Sequence, residues 1–241
     1  MEGAGKIALV TGANKGIGYE IVRGLAQKGC IVLLGARNAA LGQAAAKDLQ
    51  AEGKIQFLEL DVTSDSSVDK ATAYVKQQFG HLDILVNNAG VGNIPGGALD
   101  TTDPKEVAWV FEVNVFGVVR MLNAFLPLIK AAPAGRIVNA SSVVGSFGLV
   151  DQWGAVRKTC MAYAASKSTL NGIMQSYAMN LEEGSPVKIN NICPGYCSTD
   201  LNNFEGHHTA EQGAQISIKM ALIGPEGPCG ELWNDAGKQP W

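Results

Sequence analysis

Short apolar runs alternate with longer amphipathic stretches along most of the chain. Each run holds three to six residues, enough for a strand, and most are followed by a stretch whose apolar positions share one helical face. Continuous apolar runs are typical of strands that are buried on both faces of a parallel sheet. The predicted strands are residues 7–10, 31–34, 55–60, 84–86, 135–140, 188–192 and 231–233.

The stretches between the strands predict helices with recognisable starts. Asp103 and Pro104 suit the N-cap and first position of a helix, and Thr209 with Gln212 forms a capping box. The predicted helices are residues 16–28, 39–52, 63 or 64–79, 103–126, 163–182 and 209–222. Strands that alternate with helices indicate right-handed βαβ units, and therefore an α/β fold. We expect a single domain over residues 1–241, with a doubly wound parallel sheet of about seven strands and helices on both faces.

Composition narrows the class of protein. A hydrophobic fraction of 46%, a charged fraction of 17% and a net charge of −3 indicate a globular chain and argue against nucleic-acid or membrane-surface binding. The apolar segment 113–129 is interrupted by Asn114, Arg120 and Asn123, which predicts a buried helix rather than a bilayer span. No secretory signal pattern is visible, so we expect a cytoplasmic protein. Five cysteines without ligand spacing predict free thiols and no metal site.

A glycine-rich turn directly follows the first predicted strand. In the segment Thr11-Gly-Ala-Asn-Lys-Gly-Ile-Gly18, Gly12 permits a tight turn, Gly16 allows close approach of a ligand, and Gly18 lets the next helix pack on the strand. The unpaired N–H groups of that helix suit a phosphate group. The turn therefore predicts a Rossmann-type dinucleotide site, with Asn14, Lys15 and Ile17 among its residues.

Charges near the second strand bear on the choice of dinucleotide. An acidic residue about twenty positions after the glycine turn would bind a ribose 2′-hydroxyl and select NAD, whereas an arginine accepts a 2′-phosphate. No Asp or Glu lies between Glu20 and Asp48, while Arg37 follows the second strand and Lys15 lies in the turn. Both cations also fit ordinary surface positions. The pattern favours NADP(H) over NAD.

One helical pair carries candidate chemistry. Tyr163 and Lys167 are four residues apart and share a helix face. Such a pair is ordinarily a packing contact, but an ammonium near a phenol favours the phenolate and makes the phenol a usable acid. Asn114 is the polar exception in an apolar helix, where it is either a satisfied buried amide or a functional group.

With these residues in place, the chain resembles the short-chain dehydrogenase/reductase family along nearly its whole length. The matching motifs occur in order: Thr11 to Gly18, Asn87 to Gly90, Asn114, Ser142, Tyr163-Ala-Ala-Ser-Lys167 and Pro194-Gly195. Within the family it looks most similar to the NADPH-dependent carbonyl reductases, on the strength of Asn14-Lys15, Ala36-Arg37 and the Trp241 ending.

The resemblance implies catalytic roles for four residues. Tyr163 would donate a proton to the reduced carbonyl group, Lys167 would lower the pKa of Tyr163 and bind the nicotinamide ribose, and Ser142 would polarise the carbonyl oxygen, with Ser141 as the second choice. Asn114 would hold a water that links Lys167 to solvent. The implied cofactor-binding residues are Gly12, Asn14, Lys15, Gly16, Ile17, Gly18, Arg37, Asp61, Val62, Asn88, Ala89, Gly90, Tyr163, Lys167, Pro194, Gly195, Cys197 and Thr199.

The substrate is expected to be a small ketone or aldehyde that is reduced to an alcohol. We expect its pocket to include Ser142, Tyr163, Asn93, Ile94, Phe147, Trp153 and Tyr196, with a substrate loop at about 196–208. A short insertion at about 148–158, smaller than in the carbonyl reductases, leaves monomer, dimer and tetramer open. Two other functions remain: reduction of a carrier-bound or thioester-linked 3-oxoacyl chain, and non-catalytic NADPH sensing on the same fold.

Overall fold

One eight-stranded sheet organises the computed structural model, which describes residues 2–92 and 103–241. The strands and the helices between them follow the predicted alternation. In chain order they are β1 (Ile7–Val10), α1 (Gly16–Gln27), β2 (Ile31–Ala36), α2 (Ala39–Asp48), β3 (Lys54–Glu59), α3 (Asp65–Phe79), β4 (Ile84–Asn87), α4 (Pro104–Phe111), α5 (Gly117–Lys130), β5 (Arg136–Ala140), α6 (Val150–Thr159), α7 (Met161–Met179), β6 (Lys188–Ile192), α8 (Ala210–Ala221), β7 (Leu232–Asn234) and β8 (Gly237–Gln239).

The sheet is doubly wound, as the sequence predicts. Its strand order is β3-β2-β1-β4-β5-β6-β7-β8, and β1 to β7 pair in parallel. The order reverses between β1 and β4, which is where ligands bind in sheets of this kind. The prediction of about seven strands misses β8, which pairs antiparallel with β7 and has only three residues without an apolar run.

Alternate residues of each strand pack into two separate hydrophobic cores, one on each face of the sheet. Leu9, Leu33 and Leu85 face the side covered by α3, α5 and α7, where Phe125 and Met174 are fully buried. Their neighbours along the same strands, including Val10, Val32, Leu34 and Val86, face the side covered by α1, α2 and α8. Because successive strand residues point to opposite faces, continuous apolar runs fill both layers.

Helix bounds differ from the predicted ones in several places, and one helix was not predicted. The second helix tightens into a 3₁₀ turn at Leu49–Glu52, and the helix predicted at 163–182 spans Met161–Met179 instead. The insertion predicted at 148–158 folds as a helix, α6, which the pattern did not indicate. Trp153 of α6 is half-buried against Leu149, Cys193 and Cys160, the last of which precedes α7. This one aromatic side chain therefore anchors a weakly amphipathic helix.

Helices α4 and α5 are joined by a π-helical turn, Glu112–Phe116, that contains Asn114. The combined stretch Pro104–Lys130 is long and apolar enough to cross a membrane by length and composition. More than half of its most apolar window is buried inside the protein, with Phe125 and Met121 in the core, as is usual for a core helix. The π-helical turn has about one residue more per turn than an α-helix, and Asn114 within it is fully buried.

A ladder of buried amides crosses the carboxyl ends of three strands. Asn87, Asn139 and Asn191 lie at paired positions of β4, β5 and β6. Each donates to the next: Asn87 Nδ2 to Asn139 Oδ1 at 2.8 Å, Asn139 Nδ2 to Asn191 Oδ1 at 3.0 Å, and Asn191 Nδ2 to Asn171 Oδ1 at 2.8 Å. Asn171 lies on α7 and also accepts from Ser141 Oγ at 2.7 Å. The amide ladder therefore fastens α7 to the sheet.

Removal of the central amide tests the ladder. Asn139→Ala leaves a buried donor on Asn87 and a buried acceptor on Asn191 without partners, and each orphaned group costs about 1–3 kcal/mol. We expect the free energy of unfolding to fall by roughly 2–4 kcal/mol in urea denaturation. The control is Gln43→Ala on the exposed face of α2, which should change it by less than about 0.5 kcal/mol. Equal effects of the two variants would contradict a stabilising ladder.

Candidate active site

A cleft of about 400 Å³ opens at the carboxyl ends of the parallel strands. The turns after β1, β2, β3, β4 and β6 form its walls, together with one face of α4 and one face of α7. Most of the predicted cofactor residues border it: Gly12, Asn14, Lys15, Gly16, Ile17, Gly18, Arg37, Asp61, Val62, Asn88, Ala89, Gly90, Tyr163, Lys167, Pro194 and Thr199. Sequence positions that lie far apart are thus brought to one site.

The glycine turn has the geometry of a phosphate cradle. Gly12 has φ +63°, and a Cβ there would lie 2.8 Å from Ala89 Cα, so any side chain would collide with the β4 turn. The two turns are held together by Asn88 Nδ2, which donates to Thr11 O at 2.9 Å, and by Thr11 Oγ1, which accepts from Ala89 N at 2.9 Å. The N-cap residue of α1, Lys15, makes no side-chain capping hydrogen bond, so the first N–H groups of α1 are available to a ligand in the cleft.

Two cations flank this cradle. Arg37 is exposed at the end of β2, and Lys15 is exposed in the glycine turn. Lys15 Nζ lies 2.9 Å from Asp200 Oδ2, a residue of the turn after β6. The cleft therefore combines free helix N–H groups with two positive side chains, an arrangement suited to a ligand with several phosphates.

Tyr163 and Lys167 lie one helical turn apart on α7 and both border the cleft. Lys167 Nζ donates to Ala140 O at 2.7 Å and lies 5.3 Å from the centroid of the Tyr163 ring. The ammonium therefore stands over the face of the phenol ring. This placement follows from the i, i+4 spacing and from the end of β5, whose last carbonyl accepts the lysine proton.

Burial sets the protonation of both side chains. Withdrawal from water lowers the pKa of Lys167 to about 8. Withdrawal from water also raises the pKa of Tyr163 above its ordinary value, and a hydrogen bond with Ser142 acts in the opposite direction. Burial is thus the largest cause of the raised pKa of Tyr163 in this structure. That Lys167 lowers this pKa stays a prediction.

Asn114 is fully buried and clamps the strand-to-loop segment beyond Gly90. Its Nδ2 donates to Val91 O at 2.8 Å and to Ser166 Oγ at 3.1 Å, and its Oδ1 accepts from Val91 N at 2.9 Å. Both amide protons are thus used within the protein, which leaves one lone pair of Oδ1 for a further donor. Asn114 fixes the backbone beside Tyr163 rather than facing open solvent.

The two serines after β5 have different hydrogen-bond partners. Ser141 is buried and its hydroxyl donates to Asn171, so this hydroxyl belongs to the amide ladder although the residue borders the cleft. Ser142 is half-buried, accepts from Val144 N at 3.3 Å and shares a hydrogen bond with Tyr163. Of the two hydroxyls, that of Ser142 is the one placed beside Tyr163.

Several predicted site residues do not border the cleft, although Ser142 and Gly195 directly follow residues that do. Of those that the structure describes, Ser142, Phe147, Trp153, Tyr196, Gly195 and Cys197 do not border the cleft. Phe147 is exposed beside Met161 and Ala165, Trp153 anchors α6, and Tyr196 packs edge-on against His207. Cys197 is buried, and its thiol donates to Pro194 O at 3.2 Å. Asn93 and Ile94 fall outside the described residues.

The cleft also contains residues that the sequence analysis did not name individually: Leu60, Thr63, Val91, Gly92, Trp109, Val113, Ala140, Ile192 and Asp200, of which Asp200 lies in the predicted substrate loop. Most directly adjoin strand ends that were already identified, so extension of each motif by one or two positions would have found them. Trp109 and Val113 are four residues apart on one helical run, which is a detectable signal. Nothing in the sequence pairs Lys15 with Asp200.

Comparisons with known proteins agree with this geometry. Residues 6–210 match the family model for short chain dehydrogenases. The chain is 33% identical to (+)-neomenthol dehydrogenase of Arabidopsis thaliana, over 90% of this chain and 92% of that one. It is 31% identical to carbonyl reductase [NADPH] 1 of Mus musculus, with both chains fully covered.

Among solved structures, a metagenomic short-chain oxidoreductase in complex with NADP is 30% identical and superposes with a TM-score of 0.79, covering 97% of this chain and 99% of that one. The match thus covers most of the sequence and the whole fold. The chain belongs to the short-chain dehydrogenase family of oxidoreductases.

Proposed function

We propose that this protein is an NADPH-dependent carbonyl reductase that converts a ketone or aldehyde into an alcohol. The observation that carries the proposal is the placement of Tyr163 and Lys167 on the cleft whose other end holds the glycine turn and Arg37. One continuous site therefore joins a proton-donating pair to a phosphate cradle.

The described residues fit NADPH. The backbone of Gly12 and Gly16 borders the cleft at the N-terminus of α1, where a pyrophosphate can accept from N–H groups, and Lys15 with Arg37 supplies charge for a 2′-phosphate. Support also comes from relatives that are named as NADPH enzymes or solved with NADP. When bound, NADPH supplies the hydride, so the protein itself must orient the reactants and move a proton.

Residues of α7 and of the turn after β5 can supply the proton that the reduced carbonyl oxygen needs. Because its raised pKa keeps Tyr163 protonated at neutral pH, its hydroxyl can donate to the oxygen of a carbonyl as negative charge develops there. Ser142, hydrogen-bonded to Tyr163, provides a second hydroxyl for that oxygen. Lys167, charged below pH 8, favours the phenolate that remains after donation, and the clamp of Asn114 on Val91 keeps the facing wall in place.

The substrate side of the cleft is apolar. Val91, Trp109, Val113 and Leu201 border the same cavity as Tyr163, and Trp109 is about half exposed at its margin. Apolar walls around one proton donor suit a hydrophobic ketone. The substrate is therefore proposed as a small apolar carbonyl compound.

Removal of the phenol hydroxyl tests the proposed acid. Tyr163→Phe should lower kcat for NADPH-dependent ketone reduction by about 10²–10⁴-fold, because general acid catalysis contributes factors of that size. NADPH affinity, measured by fluorescence titration, should change little. Tyr177 lies on α7 about four turns after Tyr163, and its hydroxyl bonds Asn123. Tyr177→Phe is therefore the matched control and should retain turnover. Full activity of Tyr163→Phe would refute the assignment.

Reversal of the charge at Arg37 tests cofactor choice. Arg37→Asp should lower the ratio of kcat/KM with NADPH to kcat/KM with NADH by about 10–100-fold, since it removes a phosphate ligand and adds repulsion. Lys54→Asp makes the same charge change at the opposite end of the sheet, at the start of β3, and should leave the ratio unchanged. An unchanged ratio in Arg37→Asp would exclude Arg37 from the phosphate site.

The lowered pKa of Lys167 predicts a pH dependence. Below pH 8 Lys167 is positively charged, and above pH 8 it becomes neutral and no longer supports the phenolate. We expect kcat for reduction to fall as the pH rises through about 8. NADPH affinity measured over the same range is the control, because loss of binding would raise KM instead. A flat kcat between about pH 7 and 9.5 would show that the charge of Lys167 is dispensable.

A further inference from the structure

An ion pair spans the mouth of the cleft. Lys15 Nζ of the glycine turn lies 2.9 Å from Asp200 Oδ2 of the turn after β6. The two side chains are 62% and 53% exposed, so the pair lies at the surface rather than in the core. It engages one of the two cations that the proposed function assigns to the phosphate of NADPH.

The position of Asp200 is set by its own loop. Asp200 begins a short 3₁₀ turn, Asp200–Asn202, in which the buried Asn202 accepts from Thr199 N at 3.2 Å and donates to Cys197 O at 2.9 Å. This turn also packs on the cradle, because a Cβ at Gly16 would lie 3.6 Å from Thr199 Cγ2. The loop therefore presents the Asp200 carboxylate beside the glycine turn.

We propose that Asp200 is a specificity-determining residue, whose carboxylate competes with the 2′-phosphate of the cofactor for Lys15. The inference rests on the proposed function, since it requires a phosphate at Lys15. Asp200 thereby weakens the preference for the phosphorylated dinucleotide below the level that Lys15 and Arg37 could provide. The carboxylate lowers the affinity for ligands with a 2′-phosphate and leaves the affinity for ligands without one unchanged.

Electrostatics supports a competition of moderate size. A phosphate that contacts the Lys15 ammonium comes within a few ångströms of a carboxylate that touches the same nitrogen, and like charges at that separation repel. An exposed ion pair contributes little on its own, so the phosphate can displace the carboxylate. The remaining repulsion is partly screened by water and salt, which limits it to a modest factor in affinity.

Ligands without a nicotinamide ring isolate this effect from turnover. Adenosine 2′,5′-bisphosphate carries the 2′-phosphate and 5′-AMP lacks it, and both can be titrated by calorimetry. Asp200→Asn should bind the bisphosphate roughly three- to tenfold more tightly than the wild type does. Its affinity for 5′-AMP should change by less than about twofold. Glu205→Gln removes an exposed carboxylate from the same loop and should change neither affinity.

A double-mutant cycle tests whether the effect passes through Lys15. In a Lys15→Met background, Asp200→Asn should change bisphosphate affinity by less than about twofold. If Asp200→Asn still tightens bisphosphate binding in the Lys15→Met background, the competition for Lys15 is overturned. The Asp200 carboxylate would then act only through its long-range repulsion of the phosphate. If Asp200→Asn binds both ligands more weakly and by the same factor, the competition is also overturned. The ion pair of Lys15 and Asp200 would then help to hold any ligand in the cleft.

The wild-type protein separates this inference from the proposed function. If it binds adenosine 2′,5′-bisphosphate no better than 5′-AMP, the NADP assignment fails, and the competition fails with it. If it prefers the bisphosphate and Asp200→Asn leaves that preference unchanged, only the competition is overturned.

Discussion

The common direction of the first seven strands is the constraint on which the site depends. Parallel strands place all their carboxyl ends at one edge of the sheet, and the chain must turn there after each of them. The glycine turn, Arg37, the turn after β4 and the serine pair therefore meet without any sequence proximity. The reversal of strand order between β1 and β4 then parts the helices above that edge and opens the cleft.

Within the cleft, burial and charge act against each other at α7. The same desolvation that keeps Tyr163 protonated also weakens the hold of Lys167 on its proton. Ala140 O satisfies one donor of the ammonium but supplies no negative charge. Burial therefore keeps the proposed proton donor protonated, and the neighbouring lysine loses its proton at about pH 8.

Local patterns predicted much of the fold and part of the site. The apolar runs, the Asp103 and Thr209 caps and the spacing of Tyr163 and Lys167 are short-range signals that the structure reproduces. What could not be predicted depends on tertiary contacts. Helix α6 is held by the packing of Trp153, β8 exists because β7 offers an edge, and Lys15 meets Asp200 across most of the chain length. The pKa of Tyr163 likewise depends mainly on burial, which the sequence does not show.

The amide ladder has a consequence for how the sequence can vary. Each asparagine side chain donates a hydrogen bond to the next one in the row. Replacement of one member therefore leaves a buried polar group of its neighbour without a hydrogen-bond partner. Single substitutions along the row are therefore costly, whereas simultaneous replacement of several members by apolar residues of similar volume would avoid the orphaned groups. In homologues, positions 87, 139, 171 and 191 should accordingly change together, and their covariation would trace the contact between α7 and the sheet.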